Sequence, residues 1–151
     1  ESEIFDRYYN LALRFLSYRP RSKKEVLDYL KEKGRKTKGK LSDKTISEIM
    51  ARLTEFKFVD DLEFTKWWIE NRKKGVRLLK LELLQKGISK EVIEEAASAF
   101  DIVKKEGELL KKLIEKKRSL PYEKLVAYLL RRGFDYEKIR KLLSILDEKK
   151  L

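Results

Sequence analysis

The sequence predicts an all-α protein built from three tandem three-helix modules, helix-turn-helix-like repeats that stack into an elongated, curved molecule. Apolar residues recur at three- and four-residue spacings along the chain, as on the buried face of a helix. No segment shows the sustained alternation that is typical of strands. A Lys-Gly or Arg-Gly pair also recurs three times in a similar context. The predicted modules cover residues 1–59, 60–101 and 102–151.

The first module is predicted to begin with a helix over 4–18, which ends before Pro20 because the residue preceding a proline is pushed out of helical geometry. Ser22 and Glu25 form a Ser-x-x-Glu capping box that starts the second helix. That helix is expected to stop at Gly34.

A basic loop over 35–41 (R-K-T-K-G-K-L) separates the second helix from the third, which Ser42 is expected to cap. In the last module, a helix over 102–117 is followed by Pro121, which is tolerated in a first helical turn. Asp135 is expected to cap the last helix.

The central module opens with an acidic helix start at Asp60 and then presents an aromatic face. Phe64, Trp67 and Trp68 have the i, i+3, i+4 spacing of one side of a helix. Phe64 and Trp68 are predicted to lie in the core. Trp67 could stack on a nucleic-acid base or anchor a protein partner, but core packing is favoured for both tryptophans.

An internal repeat links the three modules. A glycine after a cationic residue ends the second helix of each copy, and a capping residue starts the third. The glycines are Gly34, Gly87 and Gly133, and the caps are Ser42, Ser89 and Asp135. Helices commonly end in a left-handed residue, which glycine adopts without steric cost, so each glycine is first a structural cap. Modules stacked in series would align their cationic side chains in a continuous track.

The net charge predicts an anionic partner. The chain carries 38 Lys and Arg against 26 Asp and Glu, a balance of +12. Such a balance is typical of proteins that bind nucleic acid, a membrane surface or an acidic protein. A well-solvated surface explains the amount of charge but not its sign, so nucleic acid or a nucleoprotein is favoured.

The chemistry available to the chain argues against an enzyme. It contains no cysteine and no histidine, which excludes thiol nucleophiles, thiolate metal sites and the commonest general base. The glycines form no phosphate-cradling loop, and no paired-carboxylate motif is present. No catalytic, cofactor-binding or metal-binding residue is predicted, and no cofactor is expected.

The chain lacks an apolar run of about 20 residues, the length that a membrane span requires. Its first residues do not resemble a signal peptide. These features predict a cytoplasmic protein that does not enter a membrane. The absence of an initiator methionine predicts further residues before Glu1.

The candidate binding residues are cations that fall in short runs. The run over 72–80 is favoured because it holds five positive charges and no acidic residue. Alternatively, such cations complement helix dipoles or pair along their own helix, as Glu82 with Lys86 and Glu137 with Lys141 would. The candidates are Arg19, Arg21, Lys23, Lys24, Arg72, Lys73, Lys74, Arg77, Lys80, Lys116, Lys117, Arg118, Arg131 and Arg132. Replacing Arg72, Lys73, Lys74 and Arg77 with Ala is predicted to weaken binding and leave the melting temperature nearly unchanged.

Four segments in this order resemble the RecX family, the regulators of the RecA recombinase. They are residues 12–26, 60–72, 75–88 and 131–139, which begin A-L-R-F-L, D-D-L-E-F, G-V-R-L-L and R-R-G-F-D. Each is weak alone, but together on a threefold helical repeat they are specific. The long loop over 35–41 departs from the family pattern and would alter how the first module docks. The tryptophan pair is also heavier than in that pattern.

The resemblance implies an elongated helical regulator that binds RecA filaments on single-stranded DNA. It implies inhibition of strand exchange, ATP hydrolysis and co-protease activity, from a position in the helical groove of the filament. The expected partners are RecA and single-stranded DNA, with weaker binding to duplex DNA, and the protein is expected to be a monomer. The alternative is a helical nucleic-acid-binding protein that acts without RecA, since three-helix units resemble helix-turn-helix domains.

Overall fold

Helices account for all the regular secondary structure of the described chain. The computed structural model describes residues 2–149, with side chains described through Asp147. Over this span the chain forms nine α-helices and no strand, which confirms the all-α prediction. The helices are α1 (Ser2–Tyr18), α2 (Lys23–Arg35), α3 (Asp43–Glu55), α4 (Asp61–Asn71), α5 (Val76–Gln85), α6 (Lys90–Ala99), α7 (Ile102–Lys116), α8 (Tyr122–Arg131) and α9 (Tyr136–Lys149). None of these helices is long and apolar enough to cross a membrane.

Side-chain caps start several of the helices at the predicted residues. Ser22 Oγ accepts a hydrogen bond from the Glu25 N–H at 3.1 Å, and the Glu25 carboxylate accepts from the Ser22 N–H at 3.0 Å. This is the predicted capping box. Ser42 Oγ accepts from the Thr45 N–H at 3.1 Å, and Asp60 caps the first turn of α4. These bonds satisfy N–H groups that a helix start leaves without an intrahelical partner.

The recurring glycine ends the second helix in only two of the three modules. Gly87 and Gly133 adopt the predicted left-handed conformation, with φ of 81° and 91°. Gly34 does not, and α2 continues one residue beyond it. In the loop that follows α2, the left-handed residues are Lys38 and Gly39, with φ of 55° and 86°. The extra residues of the basic loop therefore move the turn away from Gly34, and the predicted stop is wrong there.

The buried apolar residues form three separate cores. The first draws on α1 to α3 and lies within 8–59, the second lies within 64–102, and the third within 110–143. Ile102 packs in the second core, although the predicted division at 101/102 assigns it to the third module. The exact divisions stay a prediction, and their outer limits, residues 1 and 151, lie outside the described residues.

The modules are arranged in series. The closest helix-to-helix packing occurs within each module and between the second and third modules, where α7 contacts α5 and α6. The molecule exposes 10141 Å² to solvent. A compact monomer of this size is expected to expose about 8,000 Å². The additional surface indicates an elongated stack, while its curvature stays a prediction.

Candidate functional site

The junction between the first and second modules is formed by the turn after α5 and the start of α2. Ser22 Oγ donates to the Lys86 carbonyl oxygen at 2.8 Å. A Cβ atom on Gly87 would lie 2.7 Å from Cβ of Lys24, which is closer than real Cβ atoms approach. A glycine is therefore required here both for its left-handed backbone and for the close approach of the two modules.

The junction between the second and third modules repeats this arrangement one module later. The turn after α8 packs against the start of α5, and the Gly75 N–H donates to the Arg132 carbonyl oxygen at 2.7 Å. A Cβ atom on Gly75 would lie 2.2 Å from the Gly133 carbonyl oxygen. At both junctions, the end of the second helix of one module meets the start of the second helix of the preceding module.

A buried carboxylate reinforces the second junction. Glu106 of α7 is only 6% exposed. It accepts a hydrogen bond from the Val76 N–H at 2.6 Å and pairs with Lys138 Nζ at 2.7 Å. A buried charge needs such partners to offset the loss of its hydration. Nothing in the local sequence around Glu106 separates it from an exposed helical glutamate, so its role is visible only in the folded structure.

Trp68 lies at the centre of a cationic cluster beside the first junction. The ring is buried, as predicted, and the Arg72 guanidinium carbon lies 3.9 Å from its centroid. Arg19 from the first module and Lys86, which directly follows α5, lie 5.9 and 5.4 Å from the same ring. Trp67 is half-buried against the second core, with Arg19 5.6 Å from its ring. Cations over an indole face are attracted by its quadrupole.

Two carboxylates neutralise part of this cluster. Glu25 pairs with Arg19 at 2.5 Å and with Lys86 at 3.4 Å. Glu82 pairs with Lys74 and also accepts the indole N–H of Trp68. Lys86 therefore pairs with an acid of the first module instead of Glu82 in the last turn of α5, so the predicted Glu82–Lys86 pair is wrong.

The run over 72–80 has compensating acids that its sequence does not reveal. Lys74 pairs with Glu82, and Lys80 pairs with Glu94 of α6 at 3.1 Å. The premise that this run lacks compensating acids is therefore wrong, because the acids come from positions that follow it in the chain. The exposed members of the run, Lys73 and Arg77, have no ion pair within the described part of the chain.

The candidate cations of the first module divide in the same way. Arg21 lies 3.8 Å from the ring of Phe15 and donates to the Phe15 carbonyl oxygen at 3.2 Å. Lys24 pairs with Asp28 at 2.9 Å. Lys23 is exposed at the start of α2. Lys23 is thus freer than Arg21 to reach an external ligand.

Tyr128 lies between the two candidate runs of the third module, residues 116–118 and 131–132. Lys117 and Arg132 lie 5.3 and 5.7 Å from its ring centroid. The ends of α7 and α8 are therefore neighbours, although 14 residues separate these two cations. The remaining candidates of this module are exposed: Lys116, Arg118 and Arg131.

These contacts connect the candidate runs across both junctions. Arg19 and Arg72 meet at Trp68, which joins the first-module run to the central run. The hydrogen bond from Gly75 to Arg132 joins the central run to the third module, where Tyr128 links the last two runs. We call the candidate cations of these four runs, within residues 19–24, 72–80, 116–118 and 131–132, the junction surface.

The environment of Glu25 lowers the pKa of its carboxyl group from the ordinary value of 4.5. Partial burial acts to raise this pKa. Hydrogen bonds from Arg19 and the Ser22 N–H, together with the charges of Arg19 and Lys86, outweigh that effect. The carboxylate is therefore better stabilised in the folded protein than in the unfolded chain.

This shift predicts that Glu25 stabilises the first junction in a pH-dependent manner. A lowered folded pKa contributes stability that is present above pH 4.5 and is lost as the pH falls through the folded value. We expect Glu25→Gln to lower the free energy of unfolding by about 2 kcal/mol at pH 7, and by progressively less below pH 4.5. Urea denaturation across pH measures this difference.

Glu95→Gln is the matched control for this measurement, because Glu95 is exposed on α6. It should change stability little at any pH. A constant difference between Glu25→Gln and the parent protein from pH 7 to pH 3 would contradict the assigned role of the ionised carboxylate.

The fold and the junction surface define a class: an all-α tandem-repeat protein whose cations gather where its modules meet. Residues 9–35 match the family model for the first three-helix domain of RecX, and residues 60–96 match the model for the second. A regulatory protein RecX from Caldanaerobacter subterraneus subsp. tengcongensis is 32% identical over 141 residues, covering 90% of this chain and 68% of that protein. The chain belongs to the RecX family.

Other relatives agree with this assignment. A regulatory protein RecX from Geobacillus sp. (strain WCH70) is 38% identical over 154 residues, which cover 93% of this chain but 54% of that protein. The chain thus spans about half the length of this relative. The crystal structure of RecX from Lactobacillus salivarius superimposes with a TM-score of 0.72 at 27% identity, covering 97% of this chain and 99% of that one.

Proposed function

We propose that this RecX-family regulator binds RecA filaments on single-stranded DNA and inhibits their recombinase, ATPase and co-protease activities, without catalysing a reaction itself. The observation that carries the proposal is the junction surface, which connects cations of all three modules. A regulatory role follows from membership of the family, and the junction surface supplies a physical basis for contact with a nucleoprotein.

The junction surface contains both cations in ion pairs and exposed cations, and this combination supports the proposal. Lys86, directly after α5, pairs with Glu25 of the first module at 3.4 Å, and this ion pair helps to hold the two modules in register. Exposed cations such as Lys73 are then held at defined positions along an elongated molecule. A preorganised series of cations binds a polyanion at a smaller entropic cost than flexible side chains do.

The proposal is tested by adding the protein to preformed RecA filaments on single-stranded DNA. At stoichiometric amounts we expect slower ATP hydrolysis and reduced strand exchange. Unchanged rates of both would contradict the proposal. Tight, sequence-specific binding to duplex DNA without RecA would instead support a nucleic-acid-binding protein that acts independently.

The exposed members of the central run give a sharper test than the quadruple Ala variant. That variant removes Arg72 from the Trp68 ring and Lys74 from Glu82, so it would also destabilise the fold. Lys73→Gln with Arg77→Gln leaves these contacts intact. We expect that roughly tenfold more of this variant is needed to inhibit the filament ATPase by half. The reason is that the variant loses two cations that contact phosphates, and each such contact contributes about 0.7 to the salt dependence of binding to a single strand.

The same double variant should melt within about 1 °C of the parent protein, because changes at exposed positions away from such contacts usually alter stability little. Lys90→Gln with Lys104→Gln removes the same charge from exposed positions outside the junction surface and should inhibit normally. Equal inhibition by both double variants would remove Lys73 and Arg77 from the binding surface.

A further inference from the structure

The basic loop of the first module forms one wall of a cavity that lies apart from the junction surface. The cavity has a volume of about 590 Å³ and lies between α1, the end of α2 and the loop that follows it. Its charged lining is entirely cationic and comprises Arg7, Lys33, Lys36, Lys38 and Lys40. Within the described part of the chain, none of these five forms an ion pair.

Hydrogen bonds and burial hold this loop in one conformation. Thr37 Oγ donates to the Gly34 carbonyl oxygen at 2.7 Å and accepts from the Leu41 N–H at 3.3 Å. Leu41 is buried in the first core and fixes the far end of the loop. Lys38 keeps a left-handed backbone, which is unfavourable for a residue with a side chain, directly before Gly39. The lysines are therefore presented from an ordered turn.

The chemistry of the lining favours a phosphodiester backbone as the ligand. Lysine and arginine side chains only donate hydrogen bonds, and phosphate oxygens only accept them. An acidic peptide would bring backbone N–H donors as well, for which the lining side chains offer only the hydroxyls of Tyr8 and Thr37 as acceptors. The lining therefore suits a nucleic-acid backbone better than an acidic protein segment.

We propose that this cavity binds phosphates of single-stranded DNA and is a second DNA-binding site, on the first module. The inference deepens the proposed function, because it names another place where the DNA of a filament is held. The cavity is lined by residues of the first module alone. Its binding can therefore be measured without RecA and separately from filament inhibition.

The test measures binding of fluorescein-labelled oligo(dT) to the full chain by fluorescence anisotropy across salt concentration. The loop variant carries Lys36→Gln, Lys38→Gly and Lys40→Gln, and Gly is compatible with the left-handed backbone at position 38. At about 0.1 M salt we expect its affinity to fall roughly tenfold to a hundredfold, and its salt slope to fall by about 2. Replacing Lys36 and Lys40 by Arg should retain binding.

The matched control removes three exposed lysines elsewhere, with Lys90→Gln, Lys104→Gln and Lys124→Gln. Both triple variants have a net charge of +9, three below the +12 of the parent chain. Circular dichroism should show the same helical content in both. A larger loss of DNA binding in the loop variant supports the site, whereas equal losses overturn it.

Three further outcomes are decisive. If the loop variant loses binding to a labelled polyglutamate peptide but retains binding to oligo(dT), the DNA assignment is overturned in favour of an acidic protein ligand. If the parent protein fails to inhibit RecA filaments while the loop variant still loses oligo(dT) binding, the proposed function fails and the site stands. The reverse result, with inhibition intact and DNA binding unaffected by the loop, overturns the site alone.

Discussion

Trp68→Ala should lower the free energy of unfolding by about 3–5 kcal/mol, as expected for truncation of a large buried aromatic side chain. The ring is 5% exposed within the second core. It also supports Arg72 at 3.9 Å and donates its indole N–H to Glu82 at 3.1 Å. The substitution therefore leaves a cavity and removes the surface on which cations of two modules meet. Equilibrium unfolding in urea measures the loss.

Trp67→Ala is the control within the same helix turn. Trp67 packs against the second core from a half-buried position, so its truncation should cost clearly less, about 1–2 kcal/mol. Similar losses for the two variants would contradict the central role assigned to Trp68. If Trp67→Ala weakened oligo(dT) binding and preserved stability, the base-stacking alternative for this residue would be supported.

Gly75→Ala should destabilise the junction between the second and third modules by about 2–3 kcal/mol, the upper part of the range for overpacking. The added Cβ would lie 2.2 Å from the Gly133 carbonyl oxygen and 2.6 Å from the Phe134 nitrogen. Both are backbone atoms, which cannot rotate away as a flexible side chain can. We expect the hydrogen bond from Gly75 to Arg132 to break and the third module to become displaced.

Urea denaturation measures the loss of stability, and small-angle X-ray scattering should show a larger radius of gyration. Gly107→Ala is the matched control, because Gly107 lies inside α7 with no atom near the position of an added Cβ. Alanine is favoured over glycine in a helix interior, so this control should stabilise the protein by about 0.5–1 kcal/mol. Equal effects of the two substitutions would show that the junction tolerates the added methyl group.

Local patterns predicted the helices well because the contacts that form a helix lie close together in the chain. The capping box of Ser22 and Glu25 and the turns at Gly87 and Gly133 depend on a few neighbouring residues. Gly34 failed as a helix stop because the extra loop residues supply another turn at Lys38 and Gly39. A shared motif thus predicts a shared turn only where the following segment has the same length.

Ion pairs were predicted less well, since sequence spacing supplies only the partners on the same helix. The i, i+4 spacing predicts an ion pair between Glu137 and Lys141, but Glu137 contacts Arg140 at 2.9 Å. The same spacing predicts a pair between Glu82 and Lys86, but Lys86 contacts Glu25, 61 residues away in the chain. When modules pack against each other, an acid from another module can be closer than one on the same helix.

Composition and short-range spacing are sufficient to predict the helical class, the capped helix starts, the threefold repeat and the strongly cationic balance. Which cations are paired and which remain exposed follows instead from how the helices pack. Lys73 and Lys74 are adjacent in the chain, yet Lys74 pairs with Glu82 while Lys73 faces solvent. Electrostatic interactions depend on distance in space, and folding brings Glu82 next to Lys74, although eight positions separate them in the chain.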